Sequence, residues 1–261
     1  MTLPAFADLL ERLVFSPGRH AKLALLGQWF AGQPDPERGL GLAAITESLK
    51  LGTAKPAMLR EITMARVDPE LFRLSYDYVG DLAETIALIW PKRAGVNAPP
   101  PRLSDIITTL ETSSKAEIPA LIAGWLDTLD ASGRLALIKL LTGGLRVGVS
   151  ARLARVALAE WSGEAVEAIE EAWHAIAPPY EPLFAWLEGK AARPDPKSTP
   201  IFRPLMLAHP LEEADLAALD PSAYRAEWKW DGIRVQVASG PGGARVWSRG
   251  AEDISASFPE I

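Results

Sequence analysis

The sequence predicts a mainly α protein whose chain changes character near residue 200, where helices give way to short strands. Three observations carry this expectation. Apolar residues recur at helical spacing through most of the first 190 positions. A segment rich in proline and basic residues follows, GKAARPDPKSTP at Gly189–Pro200. Beyond it, apolar and polar residues alternate at period two around glycine-rich turns.

The helices are read from their stripes. Leu82, Ile86 and Ile89 fall on one helical face, as do Leu103, Ile106, Ile107 and Leu110. Ile118, Leu121, Ile122, Trp125 and Leu129 form the next stripe, and Val166, Ile169, Trp173 and Ile176 another. Such stripes are core. Most of the nine tryptophans stand at positions of this kind, so they are not read as stacking platforms for a ligand. No repeat at a solenoid period is present.

One loop between helices carries more information. In TGGLRVGVS, Thr142–Ser150, Gly143, Gly144 and Gly148 surround Arg146, and Ser150 is placed to N-cap the helix ARLARVALAE. Glycines let backbone N–H groups approach an anion closely, and a helix N-terminus adds favourable partial charge. The loop sits in a run, 131–159, that has no acidic residue and holds Arg134, Lys139, Arg146, Arg152 and Arg155. From 160 to 188 the seven charged residues are all acidic. The expectation is one basic surface and one acidic one; the competing reading is two ordinary solvated helix faces joined by a plain connection.

In the strand-like part, YRAEWKW alternates Tyr224, Ala226, Trp228 and Trp230 with Arg225, Glu227, Lys229 and Asp231, which puts Glu227 and Lys229 on one face. After the Asp231-Gly232 turn signal, Ile233, Val235 and Val237 alternate with Arg234 and Gln236; SGPGG, Ser239–Gly243, reads as a hairpin loop, and ARVWSR resumes a strand. The octapeptide EWKWDGIR, Glu227–Arg234, is thus expected on an antiparallel sheet.

The residue types in that octapeptide suit nucleotidyl transfer. A lysine amine attacks an α-phosphate once it is deprotonated, which desolvation or neighbouring cations promote. Lys229 is the candidate nucleophile. Gly232 permits a tight turn, and Arg234 offers a planar fork of donors to ribose and phosphate oxygens. The competing reading is a surface hairpin with a Lys/Asp pair.

Composition excludes other classes. The 261 residues, 48% hydrophobic and 23% charged, suffice for one large domain and a smaller piece. The absence of cysteine rules out disulfides and thiolate metal sites. His20, His174 and His209 lack metal-ligand spacing, so no metal site is expected from the side chains, and no P-loop is present. Neither a signal peptide nor an apolar run of about 18 residues appears, so a cytoplasmic location without membrane contact is expected. A net charge of −6 argues against a nucleic-acid partner on its total, but the distribution of charge matters more.

K-x-D-G-x-R at Lys229–Arg234 and S-R-x-x-E-D within WSRGAEDIS, Trp247–Ser255, resemble the ATP-dependent DNA ligase family, of the bacterial type with an N-terminal helical DNA-binding domain. The resemblance implies that Lys229 takes AMP from ATP, that Glu227 reads the adenine amino group, that Arg234 contacts the ribose, and that Arg249 engages the phosphate of the nicked strand. Gly250 stands where many members have asparagine. FRPLMLAHP, Phe202–Pro210, looks like the opening of the adenylation domain, and YDYVGDLAETIAL, Tyr76–Leu88, is similar to the DNA-binding domain. Thr142–Ser150 resembles the loop that grips a duplex along its minor groove. DNA contacts are accordingly expected from Gly144, Arg146, Gly148 and Ser150, with Lys139 and Arg152 added by charge.

The implied organisation is a helical DNA-binding domain at 1–190, a linker at 191–200, and at 201–261 the N-terminal part of a truncated adenylation (nucleotidyltransferase) domain. The implied cofactors are ATP and Mg²⁺, and the partner is nicked double-stranded DNA bound by a monomer, in DNA repair, replication or recombination at the nucleoid. The family's later motifs have no counterpart in these residues, so an N-terminal fragment that binds DNA without ligating it is expected. Two alternatives stay open: an RNA ligase or capping guanylyltransferase, which shares K-x-D-G, and a helical nucleic-acid-binding or scaffold protein in which the motif is incidental.

Overall fold

The computed structural model describes residues 2–49, 51, 54–92, 95, 98–174, 176–194, 200–203, 210–240, 242–250 and 252–261. In chain order the helices are α1 (Leu3–Phe15), α2 (Arg19–Gly32), α3 (Glu37–Ile45), α4 (Pro56–Met64), α5 (Pro69–Val79), α6 (Leu82–Ile89) and α7 (Leu103–Thr112). Then come α8 (Ile118–Thr128), α9 (Ala131–Thr142), α10 (Ala151–Ser162), α11 (Val166–Trp173), α12 (Glu181–Leu187) and α13 (Glu213–Ala218). Two strands, β1 (Val235–Gly240) and β2 (Gly243–Ser248), follow, with a single 3₁₀ turn at Ser255–Ser257 after them. The protein is mainly α, as the stripes predict.

The chain divides into two compact units. The first comprises Met1–Ile169 and Ile176–Arg193; the second comprises Glu170–Ala175 and Pro194–Ile261. In the first unit α1 packs on α9, α2 on α10, α6 on α9, α3 on α7 and α4 on α8. The core is built where these faces meet: Phe6, Leu13, Leu26, Phe30, Ile106, Ile122, Leu137, Ile138, Leu141 and Leu158 are all fully buried. The predicted α7 stripe faces this core, with Leu103, Ile106, Ile107 and Leu110 buried; of the α8 stripe Ile118, Ile122 and Leu129 are buried, whereas Leu121 and Trp125 are half-buried. On α6 the buried residues are Ala83, Thr85, Ile86 and Ala87, whereas Leu82 and Ile89 of the predicted stripe are half-buried, so small residues take their place.

Helix α3 is buried all round, a pattern no amphipathic stripe announces. Its two charged residues are satisfied internally. Glu37 accepts from the backbone N–H of Leu103 at 3.1 Å and of Ser104 at 3.3 Å, so it caps the N-terminus of α7 from a different helix. Arg38 donates to Asp35 and to both oxygens of Glu188, at 2.6 and 3.0 Å, and its guanidinium lies 4.3 Å from the Phe184 ring centre. Gly39 is required by crowding, because a Cβ there would lie 1.5 Å from the Pro179 carbonyl oxygen.

In the second unit β1 and β2 pair antiparallel, Val235 opposite Ser248 and Gly240 opposite Gly243. Trp247 is buried against Phe202 and His174, with ring centres 6.3 and 6.4 Å away. Gln236 replaces a third strand for one residue: its side-chain amide accepts from the Arg203 N–H at 2.6 Å and donates to the Arg203 carbonyl at 2.9 Å. The linker positions 195–199, most of Phe202–Pro210 with His209, and Pro241 of the hairpin loop lie outside the described residues. No described helix is long and apolar enough to cross a membrane.

Candidate functional site

The octapeptide Glu227–Arg234 does not form the strand that its alternation predicts. Tyr224–Arg234 is non-helical, unpaired and exposed, and strand pairing starts only at Val235. An alternating segment becomes a strand when a neighbour takes its N–H and C=O groups, and among the described residues no segment does so here. Trp228 and Trp230 are accordingly 85% and 84% exposed. Glu227 and Lys229 therefore do not share a sheet face; both stand on an exposed irregular segment that runs into β1.

The hairpin register does bring two of the expected residues together. Val235 pairs with Ser248, so Arg234, just before β1, and Arg249, just after β2, flank the same end of the hairpin. Both are exposed. Two guanidiniums at one sheet end create a positive potential and ten N–H donors suited to phosphate and ribose oxygens.

The turn that carries Arg249 is held by residues that sequence reading passed over. Ser248 Oγ accepts from the N–H of Gly250 at 3.2 Å and of Glu252 at 3.3 Å, while its own N–H donates to the Glu252 carbonyl at 2.9 Å. Asp253 bridges back to Trp247, accepts from Ser255 and Arg245, and anchors the far side of the turn. Burial pushes the Asp253 carboxyl up, but the hydrogen bonds from Ser255 and the Arg245 cation outweigh it and hold it below the usual range. The S, E and D of the second motif thus shape the turn and leave its arginine exposed. The absence of any charge on Ser248 hid this role; its Ser-x-Gly spacing was the signal.

In the first unit the loop Thr142–Ser150 follows its prediction closely. Gly143 ends α9 in the left-handed region, and Ser150 caps α10 by accepting from the Leu153 N–H at 3.1 Å. Leu145 and Val147 are buried, and Arg146 between them is exposed. Alternation therefore pins the loop and turns its arginine outward. Gly148 has φ +66°, a conformation that glycine adopts without strain. Gly144 is half-buried and Ser150 exposed.

The basic run is not a uniformly basic surface. Arg134 is buried and donates to the carbonyls of Leu126 at 2.9 Å and Trp90 at 3.2 Å, and Arg155 is buried too. Lys139 is committed to Asp81 at 2.6 Å. That leaves Arg146 and Arg152 as the exposed cations of the run. Sequence reading also missed Lys22 of α2, whose ammonium donates to the carbonyls of Val147 at 2.8 Å and Gly148 at 3.2 Å. Its position, 125 residues before the loop, leaves no local trace. Among the described residues no group of three or more His, Cys, Asp or Glu could hold a metal ion.

Residues 205–261 match the family described as ATP dependent DNA ligase domain, a stretch that includes Glu227, Lys229, Arg234 and Arg249. The chain is 34% identical over 119 residues to a DNA ligase of Methanothrix thermoacetophila, covering 45% of this chain and 21% of that protein. It is 29% identical over 232 residues to a DNA ligase of Pyrobaculum neutrophilum, covering 82% of this chain and 39% of the relative. Over its whole length it is similar, at 26% identity, to DNA ligase 1 of Korarchaeum cryptofilum, of which it covers 50%. The chain thus spans half or less of the length of each of these curated relatives.

Proposed function

We propose, on the premise that the chain belongs to the ATP-dependent DNA ligase family, that it supplies the duplex-binding and first nucleotidyl-transfer elements of an enzyme sealing nicks in DNA. In this reading Lys229 Nζ attacks the α-phosphorus of ATP. The P–N bond forms, the bond to the β-phosphate oxygen breaks, and pyrophosphate leaves with the charge. AMP then passes to a 5′-phosphate at the nick, and the adjacent 3′-hydroxyl displaces it as the phosphodiester closes. Glu227 reads the adenine amino group, and Arg234 and Arg249 hold ribose and phosphate oxygens through charge-assisted hydrogen bonds.

The observation that carries the reading is the register of the hairpin, which sets Arg234 and Arg249 at one end of the sheet, with Lys229 on the segment that leads into it. Mg²⁺ bound to the ATP phosphates would neutralise the charge of the transferring group; no residue is assigned to it, because among the described residues no group of three or more His, Cys, Asp or Glu could hold a metal ion. On the helical unit, exposed Arg146, the glycines at 144 and 148 and the N-terminus of α10 at Ser150 present donors to a phosphate backbone, with Arg152 beside them. Such contacts grip a duplex without reading its bases.

The test is AMP transfer by the ligase that contains this chain. With α-labelled ATP, label should become covalently attached to the Lys229 peptide and be discharged by a nicked duplex; Lys229→Ala should carry none. Label that persists in Lys229→Ala would refute the assignment.

A further inference from the structure

The loop Val147–Gly148 turns two backbone carbonyls towards α2, and Lys22 meets both. The packing of α2 against α10 brings the lysine there. The fit is close: a Cβ on Gly148 would lie 2.4 Å from Lys22 Nζ, so the glycine and the lysine are matched. Two physical consequences follow. Carbonyl oxygens beside a phosphate would repel it, and the ammonium cancels that repulsion. An ammonium also has three donors, of which two are used here. Lys22 forms no ion pair among the described residues, so its charge adds to that of the neighbouring exposed Arg146. Arg19, one turn earlier on the same face of α2, is exposed as well.

We propose that Lys22 is a second cation of the duplex-binding loop, fixing it through two backbone carbonyls and directing its remaining N–H to a phosphate of the bound strand. The inference rests on the reading of Thr142–Ser150 as a duplex-binding surface. Lys22 is then a positioning residue for Arg146 and a phosphate contact in its own right. A purely structural lysine would do the first and not the second.

Salt dependence separates the two roles. The chain is titrated against a labelled nicked duplex between about 50 and about 200 mM salt, alongside Arg146→Ala, Lys22→Met and Lys22→Arg. Lys22→Met keeps the apolar stem and removes the charge, and its log–log salt slope should be smaller by about one. Across that fourfold salt range it should then weaken about three- to fourfold less than the wild type. Lys22→Arg, which keeps the charge, should restore the wild-type slope. If Lys22→Met does not fold, Lys22→Gln takes its place, and a wild-type slope in that folded variant overturns the inference. A Lys22→Met slope equal to wild type, while Arg146→Ala lowers it, overturns the inference and leaves the duplex reading intact. No duplex binding by the wild type, or none that depends on Arg146, overturns both.

Discussion

Lys139 Nζ lies 2.6 Å from a carboxylate oxygen of Asp81, a residue that also caps α6 by accepting from the Glu84 N–H at 2.9 Å. One carboxylate therefore ends a loop, starts a helix and neutralises a cation of the basic run. Partial burial raises its affinity for protons, but Lys139 and the backbone N–H groups outweigh this and keep it ionised below the usual range. Lys139→Met should cost no more than about 1 kcal/mol, because the pair is partly solvated. Asp81→Ala should cost more, about 1–2 kcal/mol, because the cap goes with the ion pair. Urea unfolding of the two variants checks the order. On this account Lys139→Met leaves the salt slope of duplex binding at its wild-type value, and a reduced slope would return Lys139 to the set of DNA contacts.

Glu37 is 2% exposed and holds the N-terminus of α7 from α3. Glu37→Ala strands the N–H groups of Leu103 and Ser104 in the interior and should destabilise the helical unit by about 2–3 kcal/mol. The change should appear as a lower denaturant midpoint with an unchanged slope. A midpoint within error of wild type would mean that the cap carries no net weight.

The Arg38 hydrogen bonds, with help from Lys190, pull the Glu188 carboxyl from 4.5 down to about 2. A depressed folded value adds stability above the unfolded value, and that stability is lost as the pH falls through the folded one. The contribution, of the order of 2–3 kcal/mol, should thus be complete above about pH 4.5 and vanish towards about pH 2. Glu188→Gln should flatten the stability curve across that window. Parallel curves for wild type and variant there would show that the pair does not titrate as described.

Ser248→Ala removes the acceptor that holds the N–H groups of Gly250 and Glu252. Each lost bond is worth about 1 kcal/mol, so amide exchange at these two positions should quicken roughly fivefold. Unchanged exchange would indicate that the Arg249 turn is held by Asp253 and the backbone bond from Ser248 to Glu252.

Much of this was legible in the sequence because its causes are local. The α7 stripe, the Ser150 cap and the hairpin each depend on neighbours within a few residues, although the loop expected over Ser239–Gly243 is shorter, because Ser239 and Gly240 pair with Ala244 and Gly243. What was not legible depends on distant partners. Arg134 reads as a surface cation until α9 turns it onto the Leu126 and Trp90 carbonyls. Lys22 acquires its role only when α2 lies along α10. The octapeptide's alternation is real, but a strand needs a partner as well as a pattern, and β1 begins after the motif ends. The face of Ile233, Val235 and Val237 is exposed, whereas polar Gln236 turns inward to serve Arg203. Side-chain pairing with a single backbone residue is invisible to a rule that sorts residues by polarity.

Gripping of a DNA duplex by the Arg146 loop, as proposed, is read from the affinity of this chain for DNA. The chain is titrated with a labelled nicked duplex and with a matched single-stranded RNA across a salt series, beside Arg146→Ala. Binding should be salt-sensitive and favour the duplex, with a slope lowered by about one in the variant. Equal affinity for the RNA, or a slope indifferent to Arg146, would contradict it.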